Sequence, residues 1–216
     1  MLPEYKTILN TAEAEFEEKK SRFIANARPV ACEEEALEFI EGIRAKYWNA
    51  THNVYAYSIN NETLIQRYSD DGEPSGTAGI PTLEVIKRMG LQDVVVVVTR
   101  YFGGTLLGAS GLIRAYGKSA SLGLEAAEIV TRKLCLNVNI VIEYTLFGRL
   151  QNMLISNNNI IKDVKYEQDV ELCVLIEVGK EEKLIKDIVE ISNGRAIAET
   201  GEKTYITLGS DGRLII

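Results

Sequence analysis

The chain is short of the residues from which catalytic centres and metal sites are most often assembled. Its 216 residues include one histidine, His52, and three cysteines, Cys32, Cys135 and Cys173. The cysteines are odd in number, far apart and form no Cys-x-x-Cys pair, which points to reduced thiols rather than a disulfide framework or a zinc site. No Ser-His-Asp or Cys-His signature surrounds the single imidazole. The longest apolar run, Val94–Val98, falls far short of the roughly 18 residues that span a bilayer. Basic charge is scarce as well. The net charge is −7, with 15 basic against 18 acidic residues through position 133 and 9 against 13 beyond it, so neither half carries a broad footprint for nucleic acid. The N-terminal MLPEYKTILNTAEAEFEEKK has no basic segment leading into an apolar one, so no secretory leader is expected and a cytoplasmic location is.

What the chain has is a globular composition, 46% apolar and 25% charged, and a length suited to two domains of roughly 80 to 135 residues. Gly- and Ala-rich sequence gives way near Thr131–Leu136 to sequence rich in Val, Ile, Asn, Lys and Glu. That change sets the expected domains at 1–134 and 135–216, both of α+β class. Strands are expected at 5–9 and 22–30, joined by a charged connection, Glu13 to Lys20, that reads as a solvated turn or short helix. A helix over 32–48 follows, with Ala36, Leu37, Phe39, Ile40, Ile43 and Tyr47 near the helical period. Alternation over 51–59 and 63–68 predicts a hairpin turning at Asn60-Asn61. Beyond 135 the pattern is strand 137–146, helix 147–157, strand 161–167, strand 171–178, helix 180–192 and strand 203–208. That is the βαββαβ order of ferredoxin-like domains.

Between Tyr68 and Tyr116 lie eight of the seventeen glycines and two of the four prolines, and here the polar residues gather in two loops, where function tends to sit. The first loop, Ser69 to Thr77, holds Asp70, Asp71, Glu73, Ser75 and Thr77. Its carboxylates have three possible roles: ligating a divalent cation, capping the following helix, or accepting hydrogen bonds from arginines such as Arg100 or Arg114. The Asp-x-Asp-x-Asp-Gly calcium spacing is absent. The next helix, 77–89, buries Ile80, Leu83, Ile86 and Met89 and stops at Gly90. Val94–Val98 reads as a central strand covered on both faces. It feeds Thr99-Arg100-Tyr101-Phe102 into the second loop, Gly103 to Gly111, and a helix from about Ser110 to Ala127 that buries Leu112, Tyr116, Ala120 and Leu124. A glycine-rich loop between strand and helix either cradles an anion on free N–H groups or lets strand and helix pack closely. No Walker or dinucleotide fingerprint accompanies it, so no cofactor is expected. Arg100, Arg114 and Lys118 form a small basic cluster around Gly103 and Gly104. His52, at the entry of the fourth strand, is either a hydrogen-bonded structural histidine or an acid–base group.

The motifs Asp70-Asp71-Gly72-Glu73-Pro74-Ser75-Gly76-Thr77-Ala78-Gly79, Thr99-Arg100-Tyr101-Phe102-Gly103-Gly104, and Gly108 with Leu112-Ile113-Arg114-Ala115-Tyr116 occur in order, preceded by Ala50-Thr51-His52-Asn53. Together they resemble the IMPACT/YigZ family, in its bacterial two-domain form. The resemblance implies an N-terminal domain like domain IV of elongation factor G and a ferredoxin-like C-terminal domain like that factor's domain V. It also implies a nucleic-acid or ribosome association, with no established reaction.

Two functional classes remain open. The first is a noncatalytic RNA- or ribosome-associated module linked to translation, binding through Asp70, Asp71, Glu73, Ser75, Thr77, Arg100, Gly103, Gly104, Arg114 and Lys118. The second is a small-molecule or hydrolytic enzyme with a pocket between the Asp70–Thr77 and Gly103–Gly111 loops and His52 as its acid–base group. No metal site, cofactor or membrane partner is expected in the first.

Overall fold

A computed structural model describes residues 2–61 and 63–215. The chain divides into two compact units. The first comprises Tyr5–Thr131 with Gly209–Arg213, and the second Arg132–Leu208 with residues 2–4 and 214–215. Among the described residues no helix is long and apolar enough to cross a membrane.

The first unit is built on a five-stranded antiparallel sheet in the order β2-β3-β6-β4-β5. Its strands are β2 (Ala12–Glu18), β3 (Ser21–Pro29), β4 (His52–Asn61), β5 (Thr63–Ser69) and β6 (Val94–Tyr101). A preceding strand, β1 (Glu4–Ile8), sends Ile8 into the core of the same unit. Helix α1 (Glu33–Lys46) covers one sheet face; α2 (Gly79–Arg88) and α3 (Gly108–Ala126) cover the other. Pleating divides the central strand between the two cores. Val94, Val96 and Val98 join α2 and α3, while Val95 and Val97 join α1. Each fully buried valine contributes about 1.5–3 kcal/mol of transfer free energy, so β6 anchors both layers and holds its C-terminal end in place. Helix α3 lies so close to β3 that a Cβ at Gly123 would stand 2.7 Å from that of Ala25.

Two expectations for this unit are corrected. The charged segment from Glu13 is not a turn or short helix but mostly strand β2, paired with β3 from Ala12↔Ala27 to Glu18↔Ser21. Its burial alternates, with Ala12, Ala14 and Phe16 half-buried and Glu13, Glu15 and Glu17 exposed. A period of two was therefore present beneath the acidic run. Asn60 and Asn61 do not turn the hairpin. They pair with Leu64 and Thr63; Glu62 lies outside the described residues. In α1, Ala36, Ile40 and Ile43 are buried as expected, whereas Leu37 is exposed. In α2, Leu83 and Ile86 are buried, and Ile80 is exposed.

The second unit runs β7 (Ile129–Ile142, in this unit from Arg132 onward), α4 (Tyr144–Ser156), β8 (Ile160–Tyr166), β9 (Val170–Glu177), α5 (Glu181–Ser192) and β10 (Ile197–Leu208), with β11 (Leu214–Ile215) at the end. The spatial order is β11-β10-β7-β9-β8. The βαββαβ order read from the sequence is present, with β7 starting eight residues, and β10 six residues, earlier than expected. Leu150 and Leu154 of α4 and Leu184 and Ile188 of α5 pack on Val138, Ile140, Leu172 and Val174 of the sheet. Helix α5 ends at Asn193, whose φ of 51° is left-handed, a conformation asparagine tolerates better than most residues.

Candidate functional site

The first loop is held by its own carboxylates. Asp70 Oδ1 accepts the N–H groups of Ala78 (3.0 Å) and Gly79 (2.8 Å), and its Oδ2 accepts that of Gly76 (2.8 Å). The N-cap residue of α2, Ala78, has no side chain able to do this, so Asp70 caps the helix from eight residues upstream. Asp71 Oδ2 accepts Asn53 N–H at 2.6 Å, and its carbonyl faces His52 Nδ1 at 2.7 Å. A carbonyl only accepts, so Nδ1 carries the imidazole proton. Thr77 is buried and donates its hydroxyl to Pro74 O, and Ser75 is exposed.

Glu73 reaches across to the strand and helix that flank the second loop. Its Oε1 accepts Arg100 Nη1 at 2.6 Å and the Tyr116 hydroxyl at 2.7 Å, and lies 3.8 Å from His52 Nε2. The Glu73 and Arg100 side chains are 3% and 6% exposed. Arg100 also donates to Ser21 Oγ and stacks over Phe23 and Phe102, while its Nε has no hydrogen-bond partner among the described residues. Burial, the Glu73 charge and the hydrogen bond to Glu73 push the Tyr116 hydroxyl well above the usual tyrosine range. Of the three roles open to the loop carboxylates, Asp70 takes the cap and Glu73 the arginine. Among the described residues no three His, Cys, Asp or Glu side chains are grouped to hold a metal ion.

The placement of Arg100 corrects its expected position on a basic rim. Its guanidinium is buried and neutralised by Glu73, because the residue points into the α3-covered face of the sheet, like Val96 and Val98 before it. Gly103 owes its identity to packing. A Cβ there would fall 2.0 Å from the Lys20 backbone, and its N–H is bonded to Ser21 Oγ at 3.2 Å. Gly104 is exposed.

Three exposed cations of the unit converge elsewhere. Arg114 and Lys118 project from α3 into a cleft of about 280 Å³, whose lining includes Phe16, Lys19, Leu107 and one acid, Glu18. Lys118 Nζ stands 4.5 Å from the centre of the Phe16 ring. Lys19, Arg114 and Lys118 are exposed, and none takes part in an ion pair among the described residues. Lys19 and Lys20 form the two-residue turn between β2 and β3, at φ 47° and 66°. A hairpin of this kind favours Asn-Gly, because left-handed backbone costs other residues about 1–2 kcal/mol each. Sequence reading missed both lysines. The signal was a charged dipeptide at the only point where the alternating 12–18 pattern meets that of β3.

The two α+β units, the capped acidic loop joined through one buried ion pair to the strand before a glycine-rich loop, and the separate basic cleft together define the class of protein. Residues 19–124 match the Impact N-terminal domain and residues 140–195 a domain of unknown function, DUF1949. The chain is 44% identical over 206 residues to the IMPACT family member YvyE of Bacillus subtilis, covering 95% of each protein. It is 31% identical over 178 residues to the IMPACT family member YigZ of Escherichia coli, covering 82% of this chain and 87% of that one. A crystal structure described as that of a hypothetical protein aligns with a TM-score of 0.59 at 27% identity, over 94% of this chain and 99% of the other. The chain belongs to the IMPACT family.

Proposed function

We propose that this protein is a noncatalytic, cytoplasmic RNA- or ribosome-associated factor linked to translation, and that it holds the phosphate backbone at the cleft between α3 and the β2–β3 turn. The observation that carries this reading is the convergence of Lys19, Arg114 and Lys118, from segments about 95 residues apart, with no ion pair among the described residues to neutralise them. The left-handed Lys19-Lys20 turn supports it further, since strain retained in a native fold is a pointer to function. A net charge of −7 does not oppose local attraction, because charges more than about 8–10 Å away are screened at physiological salt. Membership of the IMPACT family implies domains like domains IV and V of elongation factor G, the second being ferredoxin-like, and that expectation agrees with an RNA-facing role.

Filter binding of RNA and of ribosomes across a salt series tests the proposal. Affinity falls with salt at a log-log slope of about −0.7 per phosphate contact on a single strand. Arg114→Ala with Lys118→Ala reduces that slope by about 1.4, two contacts' worth. Salt-independent retention, or retention unaltered in the double variant, overturns it.

A hydrolytic reading draws on His52, which lies at the start of β4, beside Glu73 and against the first loop. Here both ring nitrogens face protein groups, and Glu73 Oε1 is shared with Arg100 and Tyr116. That arrangement suits a clamp between the loops better than a base facing a substrate.

A further inference from the structure

Large hydrophobic side chains stand exposed at the end of the first unit's sheet where β6 finishes and β4 begins. Trp48, the only tryptophan in the chain, is 81% exposed, Leu106 is 82% and Phe102 is 46%. Their loops are tied together: Tyr101 donates its hydroxyl to Asn49 Oδ1 at 2.8 Å, and Phe102 N–H is bonded to Thr51 Oγ1 at 3.0 Å. On the other side, the backbone at Gly103 lies against Lys20. The aromatic loops thus adjoin the turn that carries Lys19 into the basic cleft.

Resting on the reading above, we propose that this end of the sheet binds single-stranded RNA, with bases stacking on Trp48 and Phe102 while phosphates lie on Lys19, Arg114 and Lys118. Stacking faces beside unpaired cations are what an unpaired strand offers partners for, since each nucleotide brings one π-face and one negative charge. A duplex keeps its bases stacked on each other and offers these rings nothing. The apolar side chains are separated by Asn49, Thr51 and Thr105 in the sequence of the two loops. They form no continuous apolar run of the kind that inserts into lipid.

Trp48 is its own reporter. Titrating the full chain with an oligouridylate of about twelve nucleotides, within the range of single-strand site sizes, quenches its fluorescence, and an equal mass of RNA duplex does so much less. Trp48→Ala, at a largely exposed site and so compatible with folding, and Phe102→Ala each weaken retention of the oligonucleotide by about tenfold. Salt-sensitive retention of RNA with no quenching, and with both variants binding like the parent, overturns the stacking inference and leaves the cationic cleft standing. No retention of RNA at all overturns both. A blue shift of Trp48 emission on vesicles of anionic phospholipid, without quenching by RNA, replaces the inference with membrane contact.

Discussion

Arg100 and Glu73 meet at 2.6 Å in the interior of the first unit, with 6% and 3% of their side chains exposed. Their pairing joins the first loop to the end of β6, just before the second loop, and Tyr116 donates to the same carboxylate oxygen. Breaking a buried pair leaves one uncompensated charge, which costs about 3–5 kcal/mol. Arg100→Met and Glu73→Gln should each lower stability by that amount in urea unfolding. The double variant should lose much less than the sum, because neither stranded charge remains. Additive losses would show that the two groups are not coupled.

Asp70 offers a second, independent test. It accepts three backbone N–H groups, at 2.8, 3.0 and 2.8 Å, and so closes the N-terminus of α2. Asp70→Ala leaves all three without acceptors and should cost about 3 kcal/mol. Asp70→Asn keeps one oxygen for Ala78 and Gly79 and should cost about 1 kcal/mol. Equal losses would mean that the charge, rather than the cap, is what counts.

Much of this was readable from local pattern. The Val94–Val98 run announced a strand covered on both faces, and the period of α3 placed Leu112, Tyr116, Ala120 and Leu124 inside, where they are. What escaped was decided by distant partners. Arg100 was legible as one candidate partner of the first-loop carboxylates, but its burial was not, because its counter-charge lies 27 residues away. Lys19 looked like part of a solvated connection because Arg114 and Lys118 reach it only when β2 packs beside α3. The acidic run over β2 concealed an alternation that pairing with β3 makes plain.

Tyr116 makes stability depend on pH at the alkaline end. Burial, then the Glu73 charge and hydrogen bond, raise its pKa, so the folded state keeps a proton that the unfolded chain releases above about pH 10. Its contribution is complete below that pH and declines above it, by about 1.4 kcal/mol per pH unit. Tyr116→Phe should be less stable than the parent near neutrality, because the hydrogen bond to Glu73 is gone. Unfolding midpoints measured from about pH 9 to 11 should show that gap closing above about pH 10. A gap that stays constant would mean the hydroxyl titrates alike in both states.

The turn at Lys19 and Lys20 sets stability against binding. Both residues hold positive φ, 47° and 66°, in a two-residue hairpin that Asn-Gly fits with little strain. Replacing Lys19-Lys20 by Asn-Gly should stabilise the first unit by about 1–2 kcal/mol in urea unfolding. The same change removes one cation from the cleft and its neighbour from the turn, so RNA retention should weaken and its salt slope fall by about 0.7 for each lost contact. A variant that gains stability while retaining RNA unchanged would show that the lysines are not there for their charge. One that loses both stability and binding would mean that their side chains support the hairpin itself.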